Sequence, residues 1–167
     1  MNAVELLTVI HTAISLVGIA SGLVVARWML QGRDEPRWTA LFLGTTVLTS
    51  ASGFLFPFHR LLPSHLVGIV SLLVLAVVLW ARYGAALQGR WARVFVIGSL
   101  LALWLNVFVL VAQLFAKVPA LHALAPTQSE PPFGVVQLIV LAAFVWLTVQ
   151  AARQPLPSTA SGAAPRG

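Results

Sequence analysis

The chain has no cysteine, so disulfides, thiolate metal sites, iron–sulfur clusters and covalent c-type haem attachment are excluded, and histidine is the strongest ligand left. Charge is scarce as well. Only 8% of the 167 residues are Asp, Glu, Lys or Arg, against roughly a quarter in an ordinary soluble domain. Acids are rarest, with four in all: Glu5, Asp34, Glu35 and Glu130. No ionisable acid or base other than histidine falls well inside an apolar run, which argues against a carboxylate-driven proton pump and against a voltage sensor. The HExxH and GxSxG motifs are missing. A hydrolytic site would have to be improvised from His59, His65, His122 and Glu130, so the residues point away from an enzyme.

What is abundant is apolar surface: 59% of residues are hydrophobic and the mean hydropathy is +0.94. A bilayer core about 30 Å thick needs about 20 apolar residues of helix. Five runs come close: Val4 to Ala26, Trp38 to Phe58, His65 to Ala81, Trp91 to Ala116, and Phe133 to Ala152. Hydrocarbon offers backbone groups no water, and the runs are too long and unalternating for barrel strands. The expected fold class is therefore all-α, an integral membrane bundle of five transmembrane helices. The opening MNAVELLTVIHTAISL carries Glu5 and no cation before its apolar stretch, so it reads as a retained span and not as a secretory signal. Residues 1–153 make up the transmembrane domain. The tail 154–167, QPLPSTASGAAPRG, has the Pro, Gly, Ser and Ala content of a disordered segment.

Alternate ends of the runs differ in charge. Arg27, Arg33, Arg37, Arg82, Arg90, Arg93, Arg153 and Arg166 collect at one side, and only Arg60 and Lys117 at the other. The positive-inside rule places the first set in the cytoplasm, with the N-terminus outside and the C-terminus inside. That placement also accounts for the net charge of +6 without invoking nucleic acid. Asp34 and Glu35, beside Arg33 and Arg37, read as a solvated charge cluster in a cytoplasmic turn. In the long outer connection from Lys117 to Phe133, Thr127 or Ser129 is expected to cap the last helix, whose first turn tolerates Pro131 and Pro132.

This topology gathers all four histidines at the outer rim. His59 and His65 bracket the turn after the second span, within FLFPFHRLLPSH. His122 lies in the long outer loop. His11 lies four or five residues inside the first span, about 7 Å deep at ~1.5 Å per residue. Thr8, His11, Ser15, Gly18 and Gly22 recur at intervals of three and four and form one small, polar stripe. Gly98, Ala102, Asn106, Val109, Gln113 and Lys117 make a similar face on the fourth span, and Gln137 lies one turn inside the fifth. These faces should look inward, because amides and imidazole in lipid are costly. The second span, with Gly44, Thr45, Thr46, Thr49, Ser50, Ser52 and Gly53, is small enough to pack against either stripe.

Two functions fit. One is a non-catalytic structural, accessory or small-ligand-binding protein with a polar outer cluster of His11, Ser15, His65, Asn106, Gln113 and Gln137. Such a protein has the lipid bilayer as its partner and small-residue faces suited to self-association or to another membrane protein. The other is a redox or metal protein in which His11 and His65 ligate b-type haem or a transition metal, with His59 or His122 assisting. TSASGFLFPF, PSHLVG and APTQSEPPF resemble segments of a group of small bacterial multi-pass inner-membrane proteins with no assigned activity. The resemblance covers most of the chain except the tail. It implies a bacterial cytoplasmic membrane and no functional residue.

Overall fold

The computed structural model describes residues 2–56 and 63–159, apart from the side chains of 63 and 64. The described residues contain helices and no strand. The elements are α1 (Ala3–Leu30), α2 (Pro36–Ser52) with a short 3-10 turn (Gly53–Leu55), α3 (Pro63–Leu79), α4 (Arg90–Lys117), α5 (Pro119–Leu124) and α6 (Pro131–Ala152). The five apolar runs lie on α1, α2, α3, α4 and α6, each with its extension long and apolar enough to cross a membrane. The expected end of the second run, Pro57 and Phe58, lies outside the described residues.

Helix ends follow local chemistry. Asn2 Oδ1 accepts from the Glu5 amide at 2.8 Å, and Glu5 Oε2 accepts from the Asn2 amide at 2.9 Å. The two close a reciprocal capping box that satisfies exposed donors at the start of α1. Proline opens α2, α5 and α6, where its missing amide costs nothing. The third span does not end in an ordinary helical turn. Trp80–Gly84 widen into a π-turn, with the Ala85 amide donating to the Trp80 carbonyl at 2.8 Å. Ala86 and Leu87 then take left-handed backbone, φ 50° and 57°. That conformation costs a residue with a Cβ about 1–2 kcal/mol, and the burial of Leu87 at 2% exposure offsets it.

α4 is the central post: it packs against α1, α2, α3 and α6. α6 is peripheral, resting on α4 and α1 and burying only Gln137 and Ala151. The tight core is not spread evenly along the spans. Val25, Met29, Phe42, Leu75, Val78 and Phe95, all buried, lie toward the arginine-rich ends of their helices. Gln154–Thr159, read as tail, runs along that same end. Ser158 Oγ and the Thr159 amide both donate to the Ala86 carbonyl at 3.1 Å, and Leu156 packs against the core. Residues 160–167 lie outside the described residues.

The stripe expected on α1 faces inward. Gly18 and Gly22 are buried while Val17 and Leu23 are exposed. A Cβ on Gly22 would come within 2.6 Å of Leu103 Cδ1 and 2.9 Å of the Phe42 ring. Both neighbours are fully buried, so they could yield only by disturbing the packing around them. In lipid, helix association depends on such close contact, because apolar surface gains little by leaving one oily environment for another. Gly22→Val should therefore cost about 1–3 kcal/mol by overpacking, read as a lowered melting temperature in detergent. Gly44→Val should be nearly neutral, since nothing lies within 4 Å of a Cβ there.

Candidate functional site

α2 carries a row of hydroxyls at intervals of three, Thr46, Thr49 and Ser52, and the polar side chains of other helices come to it. His11 Nδ1 lies 2.8 Å from Ser52 Oγ. Ser52 Oγ also donates to the Thr49 carbonyl at 3.2 Å, so its proton has an acceptor and the ring nitrogen is the donor. Nε2 of His11 is thereby left with its lone pair. Ser15 Oγ donates to the His11 carbonyl at 2.8 Å and reaches Thr49 Oγ1 at 3.4 Å. Asn106 Nδ2 reaches Thr46 Oγ1 at 3.5 Å. Only the His11–Ser52 contact is short; the two long contacts to α2 are at the limit of hydrogen bonding and act mainly as matched polar packing.

His65, 6% exposed at the start of α3, tilts against the Phe54 ring at 5.9 Å. His11 meets Phe56 edge-to-face at 5.4 Å. The two histidines thus come to one short stretch of chain, Gly53 to Phe56, each with a phenylalanine as its ring neighbour. His122 is exposed on α5, and His59 lies outside the described residues. Among the described residues no group of three or more His, Asp or Glu could hold a metal ion. Gln137 Nε2 donates to the Phe108 carbonyl at 3.1 Å and ties α6 to α4, while its Oε1 has no partner among the described residues. Gln113 is exposed, whereas Phe115, two residues further along α4, is 3% exposed and meets Phe133 of α6 edge-to-face at 5.4 Å. Near this end α4 is covered on the side that carries Phe115, and Gln113 is not on that side.

The connection before α6 differs from expectation. Glu130, not Thr127 or Ser129, is the N-cap residue, and its carboxylate turns back into the loop. It accepts from the Thr127 and Ser129 amides at 3.2 Å and from Thr127 Oγ1 at 2.8 Å. Gln128, with φ 59°, donates from Nε2 to the Ala112 carbonyl at 2.8 Å and pins the loop to α4. Desolvation pushes the Glu130 carboxyl up, but hydrogen bonds from the Thr127 side chain and the loop amides together outweigh it and leave it below its ordinary value.

The arginine-rich end also corrects the sequence reading. Asp34 does not belong to a solvated cluster. Its side chain is 6% exposed, and its Oδ2 accepts from Arg82 Nη1 at 2.6 Å, the arginine being 4% exposed. Asp34 Oδ1 accepts from Thr39 Oγ1 at 2.9 Å. The Arg82 guanidinium lies over Phe95 and Tyr83 at 5.4 and 5.5 Å, and its Nε has no partner among the described residues. The pair binds the α1–α2 turn to the end of the third span. The π-turn at Trp80–Gly84 contains Arg82 itself. A signal was available: Arg82 directly follows an apolar run, at the same level as an aspartate at a helix turn.

Removing one partner of a buried pair strands the other charge. Arg82→Ala should cost about 3 kcal/mol, seen in thermal or denaturant unfolding in micelles, whereas the double variant Asp34→Leu/Arg82→Met should recover most of the loss. The loop carboxylate gives a pH dependence. A depressed folded-state value means that its contribution is present at neutral pH and is lost as pH falls through that value. Amide exchange at Thr127 and Ser129 should accelerate below the ordinary carboxylate range in the native chain and be fast and pH-independent there in Glu130→Gln, after correction for intrinsic exchange. No protein-family model, curated protein or solved structure matches the chain.

Proposed function

We propose that this chain is a non-catalytic multi-pass protein of the bacterial inner membrane, N-terminus outside and C-terminus cytoplasmic, serving as a structural or accessory helical bundle. The observation that carries the reading is the use made of its polar side chains. His11, Ser15 and Asn106 approach the hydroxyls of α2, and Gln137 holds a backbone carbonyl of α4. Side chains committed to neighbouring helices act as interhelical glue, which is what membrane bundles need where water is missing. The orientation rests on the arginine count, and the bacterial membrane on the resemblance of TSASGFLFPF, PSHLVG and APTQSEPPF.

One feature favours a second reading: the unshared Nε2 of His11, near the segment that His65 also touches, is the atom that would ligate haem b or a metal. His11→Ala separates the two. Under the structural reading it lowers stability by about 1 kcal/mol or less and leaves the visible spectrum, with and without dithionite, unchanged from a featureless wild type. A Soret band in haem-replete wild type that disappears in His11→Ala would replace the structural reading with the redox one. A fluorescent protein fused after Gly167 should be bright and alkaline phosphatase inactive, and the reverse pattern would overturn the orientation.

A further inference from the structure

Two openings lie one below the other in the crevice between α4 and α6. The first, at the arginine-rich end, has a volume of about 540 Å³. Arg90 and Arg93 from the first turn of α4 and Arg153 at the end of α6 line it, with Gln154–Leu156 as a wall and Val96 and Ala152 toward the helices. No acidic side chain lines it. α4 begins there at Gly89 with no side-chain cap, and although the Trp91 amide donates to the Gln88 carbonyl, the helix N-terminus adds positive potential to that of the three guanidinium groups. The second opening, about 260 Å³, is apolar and is bounded by Ile97, Leu100 and Trp104 of α4 and by Leu141, Val145 and Val149 of α6.

The two share one face. On α4 their residues follow 89, 93, 96–97, 100 and 104; on α6 they follow 141, 145, 148–149 and 152. Steps of three and four keep a helix face constant, so the apolar groove continues directly from the basic cavity. Arg93 and Trp104 are eleven residues apart, about 16 Å along the helix. Half of a bilayer core of about 30 Å is about 15 Å. The basic cavity and the groove together therefore match the depth of a single leaflet.

We propose that the α4–α6 crevice is a binding site for one anionic phospholipid, its phosphodiester headgroup held by Arg90, Arg93 and Arg153 and an acyl chain laid along the groove to Trp104. Charge complementarity selects the headgroup, since three cations with no counter-charge face a cavity of headgroup size. Continuity with the groove selects a lipid over a free anion. The site rests on the helices spanning a bilayer but not on which end faces the cytoplasm. If the orientation proposed above holds, the lipid belongs to the inner leaflet.

The test uses the full chain in mild detergent micelles with added phosphatidylglycerol, phosphatidylcholine or inorganic phosphate. Phosphatidylglycerol should raise the melting temperature by about 5 °C or more, and native mass spectrometry should show one retained lipid. Phosphatidylcholine and inorganic phosphate should do neither. In the triple variant R90Q/R93Q/R153Q the rise should vanish; these side chains are exposed, so the lipid-free melting point should stay near that of the wild type. Val145→Trp, which fills the groove from an exposed position, should weaken the rise while leaving the arginines intact. An equal response to phosphatidylcholine, or to inorganic phosphate, would overturn the proposal, the latter in favour of a soluble anion. So would an undiminished response in the triple variant. Circular dichroism on each sample separates loss of lipid response from loss of the bundle.

Discussion

A polar side chain inside hydrocarbon has no water to turn to, and in this bundle α2 supplies the substitute. Two of its hydroxyls return their protons to their own helix, Ser52 to the Thr49 carbonyl and Thr45 to the Leu41 carbonyl. They therefore present oxygen lone pairs to their neighbours at little cost. His11 can be tolerated in α1 because Ser52 stands opposite it. The same helix can be approached closely because its hydroxyl-bearing side chains are short. Gly18 faces Thr45 and Gly22 faces Phe42, which brings α1 and α2 into the most extensive contact of any helix pair. Polar satisfaction and close packing are thus two results of one compositional choice, a spine of Thr and Ser where a membrane helix would ordinarily carry Leu and Val.

The other organising constraint acts at the arginine-rich end. There the Asp34–Arg82 pair, the π-turn around Arg82 and the left-handed residues Ala86 and Leu87 draw two turns inward, and the packed core lies directly beneath them. An ion pair with so little exposure gains little over a well-packed apolar substitute, so its value lies in specifying which turns meet. Ser158 and Thr159 add a further tie, both donating to the carbonyl of Ala86. Among the described residues, the histidine end is built from aromatic and hydroxyl contacts and has fewer fully buried side chains.

How much of this was legible in the sequence depends on whether the signal was local. The five spans were readable because apolar run length is a local property, and so was the α1 stripe, because Thr8, His11, Ser15, Gly18 and Gly22 repeat at helical spacing. The packing role of α2 was readable from its small residues. Partners were not, because they depend on the register between helices: that His11 meets Ser52, and that Asn106 approaches Thr46, follows from how far α1 and α4 slide along α2. The Asp34–Arg82 pair was missed because Arg82 was counted with the loop cations, whereas the widened turn places it within the bundle. Gln113 was misjudged because the spacing that lines it up with Asn106 does not say which side of α4 is covered near that end, where Phe115 is the buried residue. Glu130 escaped as a cap because Thr and Ser, the better known capping residues, stood just before it.

α6 has a different relation to the rest. Nearly all its side chains other than Gln137 and Ala151 are at least partly exposed, and Val135, Leu138, Ile139, Val145 and Trp146 are more than half exposed. The helices that precede it on the ribosome already contain every residue of the hydroxyl spine, the ion pair and all of the buried core except Ala151. A chain interrupted before Pro131 would keep those residues but lose the cover that Phe144, Leu147 and Ala152 give them. During synthesis the first four spans can meet before the last one leaves the translocon, and α6 then closes over the core they share as a late-arriving buttress.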